Sequence, residues 1–317
     1  MATFQERGYG PDWLKSTYLL GVDLTLDDGS PYPDLIFNTA IEQSARAVAD
    51  ELGLIFEPQI FRERADKEPG QAPSWWPIRS RYRPIVDVQE INLLYGNSTT
   101  RAELPPEWAL VPEPMAGQIH LVPTAEGASS YLIIGGQPVL VGDLAHSSYV
   151  PGYFEIVYRA GFPLYSGTIT IPAGQLSGSA PLGRDFLDVY DVELTAPAGV
   201  TAKIAEKGYN SISVSIDAAQ GADTSIEWKI DSLPRDIVRA VALRGSALVL
   251  DVAGDLIAGA GIASLSVSMD GLSQNLNTTS SATNSGYGAR VLQFQKEYKE
   301  LIATLRATYR PIQVAAL

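Results

Sequence analysis

Two periodicities divide the chain. From Asp34 to Gly53, Phe37, Ile41, Val48 and Leu52 recur at helical spacing, while Glu42, Gln43, Arg46 and Asp50 occupy the other faces. This spacing predicts an amphipathic helix of about five turns, with Asp34 as its N-cap and Gly53 as its stop. A polar Pro/Gly stretch, Lys67 to Pro73, leads into Trp75-Trp76-Pro77 and the alternating cations Arg79, Arg81 and Arg83, which read as one face of a strand. Between Pro84 and Phe162 the period shortens to two. Val86 and Val88, Ile91 to Leu94, Gln118 to Val122, Tyr131 to Ile134 and Tyr153 to Tyr158 are separated by Gly and Pro, and at least four strands are expected.

The alternation is cleanest after Tyr165. Gly167 to Ile171, then Tyr190, Val192 and Leu194, then Ile212, Val214 and Ile216 among serines, and finally Ile226, Trp228 and Ile230 against Glu227 and Lys229 describe a small two-sheet sandwich over residues 166–231. Helical spacing then returns. Ser232-Leu233-Pro234-Arg235-Asp236 supplies a cap, an early Pro and an acidic first turn before Ile237, Val241, Leu248, Val252 and Leu256, and Gly259-Ala260-Gly261 ends the run. Leu265, Val267 and Met269 alternate with serines up to Asp270-Gly271, and Leu272, Gln274 and Leu276 continue the alternation, which is a hairpin signal. After a Ser/Thr/Asn/Gly stretch, Val291, Phe294, Tyr298, Leu301, Leu305 and Tyr309 make the stripe of a final helix that also carries Arg290, Lys296, Lys299 and Arg306. The fold class is α+β.

Composition removes function classes. At 317 residues the chain exceeds one ordinary domain, and without Cys it has no disulfide, thiolate zinc site or cysteine nucleophile. Lys plus Arg number 23 against 36 Asp plus Glu, a net charge of −13, which opposes wrapping of nucleic acid. The apolar region from Ser246 to Ile262 is broken by Asp251 and Asp255 and reads as a packed helix rather than a membrane span; no secretory signal is expected at Met1 to Glu6.

Catalytic motifs are missing as well. There is no Gly-x-Ser-x-Gly elbow and no Walker loop, and Gly259-Ala260-Gly261-Ile262-Ala263-Ser264 follows a helix instead of the strand a dinucleotide fingerprint needs. His120 sits in a strand pattern and His146 in a loop, and both read as ordinary structural residues. Asp23, Asp27 and Asp28 lack the alternating oxygen ligands and closing Glu of a calcium loop. Asn97-Ser98-Thr99 and Asn277-Thr278-Thr279 match the glycosylation triplet without a secretory signal. Paired carboxylates are all that a glycoside hydrolase requires, but no pair is marked out by spacing. Exposed aromatics in sandwich loops would mark a carbohydrate or receptor binder, and those loops offer chiefly Ala, Gly and Asp, with Tyr209 alone.

The order of segments says more than any one residue. Pro106-Glu107-Trp108 and Ala116-Gly117-Gln118-Ile119 follow the amphipathic helix; Tyr158-Arg159-Ala160-Gly161-Phe162 closes the β region; Leu233-Pro234-Arg235-Asp236-Ile237-Val238-Arg239-Ala240 opens the long helix. In this order they resemble the head-to-tail connector (adaptor) proteins of tailed bacteriophages, over most of residues 20–165 and 232–310. Ile171-Pro172-Ala173-Gly174-Gln175 and Glu227-Trp228-Lys229 resemble small immunoglobulin-like decorations of phage structural proteins. The resemblance implies a connector core made of a helix and β region (1–165) and of a core helix, hairpin arm and C-terminal helix (232–317), interrupted by an immunoglobulin-like sandwich (166–231). It implies a structural virion protein of the phage neck, made in the host cytoplasm, with no catalytic residue, cofactor or metal. Its partners would be the portal protein, a tail-side neck or tail completion protein, and itself in a ring, usually a dodecamer, through which DNA passes without sequence-specific contact and without any membrane. Candidate portal or subunit contacts are Arg290, Phe294, Tyr298, Leu301, Leu305 and Tyr309 on the final helix, with Met269 and Leu272 on the hairpin. The runners-up are a receptor- or carbohydrate-binding virion protein and a paired-carboxylate hydrolase.

Overall fold

The computed structural model describes residues 3–26, 29–67, 76–95, 99–121, 131–134, 137–140, 150–182, 192–208, 210–258, 264–269, 272–277 and 287–309. They form helices and antiparallel sheets, an α+β fold, in two compact units: residues 1–161 with 235–317, and residues 162–234. Among the described residues no helix is long and apolar enough to cross a membrane.

In the first unit a short helix, α1 (Pro11–Thr17), precedes α2 (Asp34–Leu52). Phe37, Ile41, Val48 and Leu52 are all buried, as the spacing predicts, and Gly53 stops α2 at φ 63°, donating its N–H to the Ala49 and Asp50 carbonyls. The N-cap differs from expectation. Pro33 holds that position with no side-chain cap, and Asp34 is already helical, its carboxylate accepting from Lys15 Nζ at 2.8 Å. The negative charge still lies in the first turn, where the helix dipole favours it.

Strands β1 (Gln59–Lys67), β3 (Ile85–Tyr95), β4 (Thr99–Leu104) and β9 (Val150–Ala160) form an antiparallel sheet in the order β1-β9-β3-β4. A second sheet, β2-β6-β5, is made of β2 (Trp76–Arg79), β5 (Ala109–Glu113) and β6 (Gln118–Leu121). Ile156, Tyr158, Ile91 and Leu93 of the first sheet share one hydrophobic cluster with Ile78, Ile119 and Leu121 of the second. β7 (Tyr131–Ile134) and β8 (Gln137–Leu140) pair as a separate hairpin. Sequence periodicity missed β1 because its outer face is charged: Arg62 Nη1 donates to Glu155 Oε1 at 3.1 Å, Arg64 reaches the same carboxylate at 3.6 Å, and Glu155 is only 8% exposed. The inner Phe61 stacks on Tyr82 with ring centroids 4.0 Å apart.

Arg79, Arg81 and Arg83 do not share a strand face. Only Arg79 belongs to β2; Arg81 is exposed, with its backbone N–H on Glu63 Oε2 at 2.9 Å, and Arg83 is buried.

After residue 234 come α3 (Arg235–Ala258), the hairpin β16 (Ser264–Met269) and β17 (Leu272–Asn277), and α4 (Gly288–Tyr309). α3 packs against both α2 and α4. Its periodicity understates its burial: Leu243, Val249, Leu250, Ala240, Ala242 and Ala253 are buried besides the expected Ile237 and Val241, while the expected Val252 is 42% exposed. A helix enclosed on most sides hides its register in the many Ala, Gly and Ser that neighbours require.

The second unit contains β10 (Leu164–Ile171), β11 (Ser177–Pro181), β12 (Glu193–Thr195), β13 (Ala202–Lys207), β14 (Ser211–Ile216) and β15 (Thr224–Asp231). Two antiparallel sheets, β10-β15-β12 and β11-β14-β13, enclose Ile169, Ile171, Ile212, Val214, Ile226 and Trp228. Gly167 faces Trp228 across the β10/β15 ladder, and a Cβ there would stand 2.7 Å from the indole, so only Gly lets the ring lie flat over β10. The Ser232 hydroxyl donates to the Pro163 carbonyl at 2.6 Å, and the Asp231 carboxylate accepts the Leu233 N–H, so Ser232 closes the base of this unit.

Candidate docking surface of the helical layer

The predicted contact residues of α4 do not share one environment. Phe294, Tyr298 and Leu305 are 7%, 9% and 3% exposed, and with Val291 and Ile302 they form the face that α4 buries inside its own unit. They are therefore core residues and not a surface offered to a partner. The reason is physical: α3 carries apolar positions on nearly every side, so the aromatic stripe of α4 finds its partner within the chain. Leu301 and Tyr309 are half-buried flanks of this face, and Ile302, absent from the predicted stripe, takes the central place.

Arg290 is a tether. Its Nη2 donates to the Tyr18 carbonyl at 2.8 Å and its Nη1 to the Leu20 carbonyl at 3.3 Å, with the guanidinium 5.6 Å from the Phe294 ring. The adjacent Tyr287 hydroxyl donates to the Asp23 carbonyl at 3.2 Å, so the start of α4 is bound to the segment after α1. Met269 and Leu272 are direct cross-strand partners on β16 and β17, and the predicted Asp270-Gly271 turn lies outside the described residues.

Two polar hubs, neither read from the sequence, hold the helices together. At the first, Glu51 of α2 accepts the Tyr298 hydroxyl at 3.0 Å and Arg306 Nη2 at 3.0 Å, and Arg244 of α3 approaches to 3.7 Å. Burial, reinforced by this carboxylate, pushes the Tyr298 hydroxyl up to about 12 against the opposing charge of Arg244. Tyr18 is also raised, by burial first and by Glu297, with Arg239 pulling the other way. At the second hub, the buried Arg83 donates to the carbonyls of Leu52 at 3.1 Å, Gly53 at 3.0 Å, Met115 at 3.2 Å and Tyr309 at 2.8 Å. One guanidinium thus joins the C-terminal ends of α2 and α4, where the helix dipoles favour a cation. Glu51 and Arg83 are invisible in one dimension, because their partners lie dozens to hundreds of residues away.

The outer side of α2 forms one wall of an open groove of about 570 Å³, closed by residues 3–9 and 54–59. Phe4, Ile41, Leu54 and Phe56 line it and are each less than a tenth exposed. The exposed side of α4 includes Leu292, Lys296, Lys299, Glu300 and Ala303, turned away from its buried face. Among the described residues no cluster of His, Asp and Glu is arranged to hold a metal. His120 lies half-buried in β6 opposite Pro77 and Leu110; His146, Asp27, Asp28, Gly259 to Ala263, Trp75 and Tyr209 lie outside the described residues. No protein-family model matches the chain, and no curated protein matches it.

Proposed function

We propose that this chain is a structural subunit of the neck of a tailed bacteriophage, forming a ring that joins the portal protein to a tail-side neck or completion protein and lets DNA pass. The observation that carries the reading is the continuity of the helical layer across the insertion: α2, from before residue 161, packs on α3, from after residue 235. The connector-like order of segments is thereby compatible with a single core, with the sandwich as a decoration of immunoglobulin type.

The run Tyr158 to Phe162 also acquires a physical reason. Tyr158 is 1% exposed and accepts the Tyr82 N–H at 3.2 Å; Ala160 is fully buried; Gly161, at φ 132°, donates to the Pro84 carbonyl at 2.8 Å. The run ends β9 and turns the chain out of the first unit. A net charge of −13 suits a channel that does not grip DNA. In this reading the β16/β17 hairpin is an arm toward a neighbouring component, a lone two-stranded ribbon being at best marginally stable in water.

Deleting α4 would not test portal docking, because it would strip the cover from α3 and unfold the first unit. Instead, the full chain mixed with portal rings is imaged by electron microscopy. The expected result is a collar on one face of the portal with the portal's symmetry. Portal rings that stay bare, or chains scattered without symmetry, would overturn the proposal.

A further inference from the structure

We infer that the exposed stripe of α4 in one copy seats in the α2 groove of the next copy, and that this contact builds the ring; the inference rests on the neck reading above.

Charge is the first argument. Lys296 and Lys299 stand on the stripe with the single exposed carboxylate Glu300 beside them, and neither lysine pairs with an acid among the described residues. The groove carries the opposite sign: Glu42, Asp50 and Glu57 line it against the single cation Arg46, and none of the four makes an ion pair among the described residues. Clusters of charge that lie inside the fold are paired, as at Glu155 with Arg62 and Arg64 and at Glu51 with Arg244 and Arg306. Complementary patches of this kind set orientation and encounter rate more than raw affinity.

Shape is the second argument. The groove wall from Asn38 to Asp50 is about 18 Å long, and the stripe from Leu292 to Ala303 about 16 Å, at the helical rise. Leu292 is 46% exposed, an apolar end for a groove with an apolar floor. The stripe cannot turn inward within its own chain, because the opposite face of α4 is held by α3 and by Glu51. Stripe and groove are different patches, so a head-to-tail union of them is heterologous, the kind that forms a ring when its rotation closes.

The absence of Cys makes the test clean. Full-length Ala45→Cys, in the groove, is mixed with full-length Ala303→Cys, on the stripe, and treated with a short bismaleimide. A covalent heterodimer is expected, at least about tenfold above a control mixture of Ala45→Cys with Glu227→Cys, whose thiol is on the second unit. Adding Lys296→Glu and Lys299→Glu to the stripe partner should remove that excess, and adding Glu42→Lys and Asp50→Lys to the groove partner should restore it. Cross-linking no higher than the control, or unmoved by charge reversal, overturns the inference. The two proposals separate by outcome. A collar on the portal without this cross-link leaves the neck reading standing and removes the interface, whereas the cross-link with bare portals does the reverse.

Discussion

At Gly161 an added Cβ would stand 2.6 Å from Pro58 Cα, in a backbone conformation that L side chains rarely adopt. At Gly245, inside α3, the nearest atoms to an added Cβ are the Ala40 carbonyl and Ser44 Oγ at 3.6 Å, an ordinary contact. The same methyl group therefore acts in opposite directions. Gly161→Ala is expected to cost about 3 kcal/mol through strain and overlap, whereas Gly245→Ala is expected to add about 1 kcal/mol from helix propensity; the midpoints of urea unfolding check both. A sequence reader sees two glycines and cannot tell them apart, since the difference lies in which chain segment passes opposite.

Tyr298 is decided at the same scale. Its folded-state pKa, about 12, lies above the ordinary 10.0, so the folded chain holds this proton more tightly than the unfolded one. Its contribution is fully present below pH 10 and is lost as the pH rises toward about 12. Tyr158, raised still further by burial, extends the same loss to higher pH. Tyr298→Phe, which leaves Glu51 without this donor, should lower stability by about 1–2 kcal/mol near neutrality. The gap from the parent chain should narrow between pH 10 and about 12, as followed by urea titrations at stepped pH.

For the helices, ends matter as much as faces. Arg83 satisfies carbonyls that the last turns of α2 and α4 leave open, and it is 8% exposed. Arg83→Met keeps volume but leaves four carbonyls without this donor, and a loss of about 3 kcal/mol is expected. Arg83→Lys should recover only part of it, because one ammonium cannot span the arc that the planar guanidinium covers. Guanidinium unfolding of the three chains decides this, and equal stability of Met and Lys variants would contradict the capping role. The apolar face of α2 was legible in its spacing because the helix lies between core and solvent. That of α3 was not, because burial on many sides erases the polar face that makes a period visible. β1 was missed for the complementary reason: its charges, paired by Arg62, Arg64 and Glu155, look like solvent-facing positions until the neighbouring strand is in place.

For the whole molecule, residues 162–234 have their own two-sheet core and internal closures, such as Ser232 to Pro163. Expressed alone, this segment should fold and unfold cooperatively, reported by Trp228, its sole Trp, which is 5% exposed in the native state. A noncooperative melt, or Trp228 emission already at the unfolded maximum, would contradict its autonomy. In the neck reading, such independence is what allows a decoration to sit between two halves of a core without disturbing it.

The sequence by itself determined the α+β class, the two alternating periodicities, the stop at Gly53 and the inward faces of β14 and β15, because each depends on neighbours within a few residues. It also determined what chemistry is missing, since no thiol is present at all. Only the tertiary structure decided that Phe294, Tyr298 and Leu305 face inward, that Glu51 and Arg83 bind helix to helix, and that an acidic groove and a cationic stripe both face solvent. An apolar stripe states that something must cover it, but which surface does so depends on the free energy of every competing contact in the folded chain. On α4 the nearest apolar surface belonged to α3, and what was left facing solvent was its charged side.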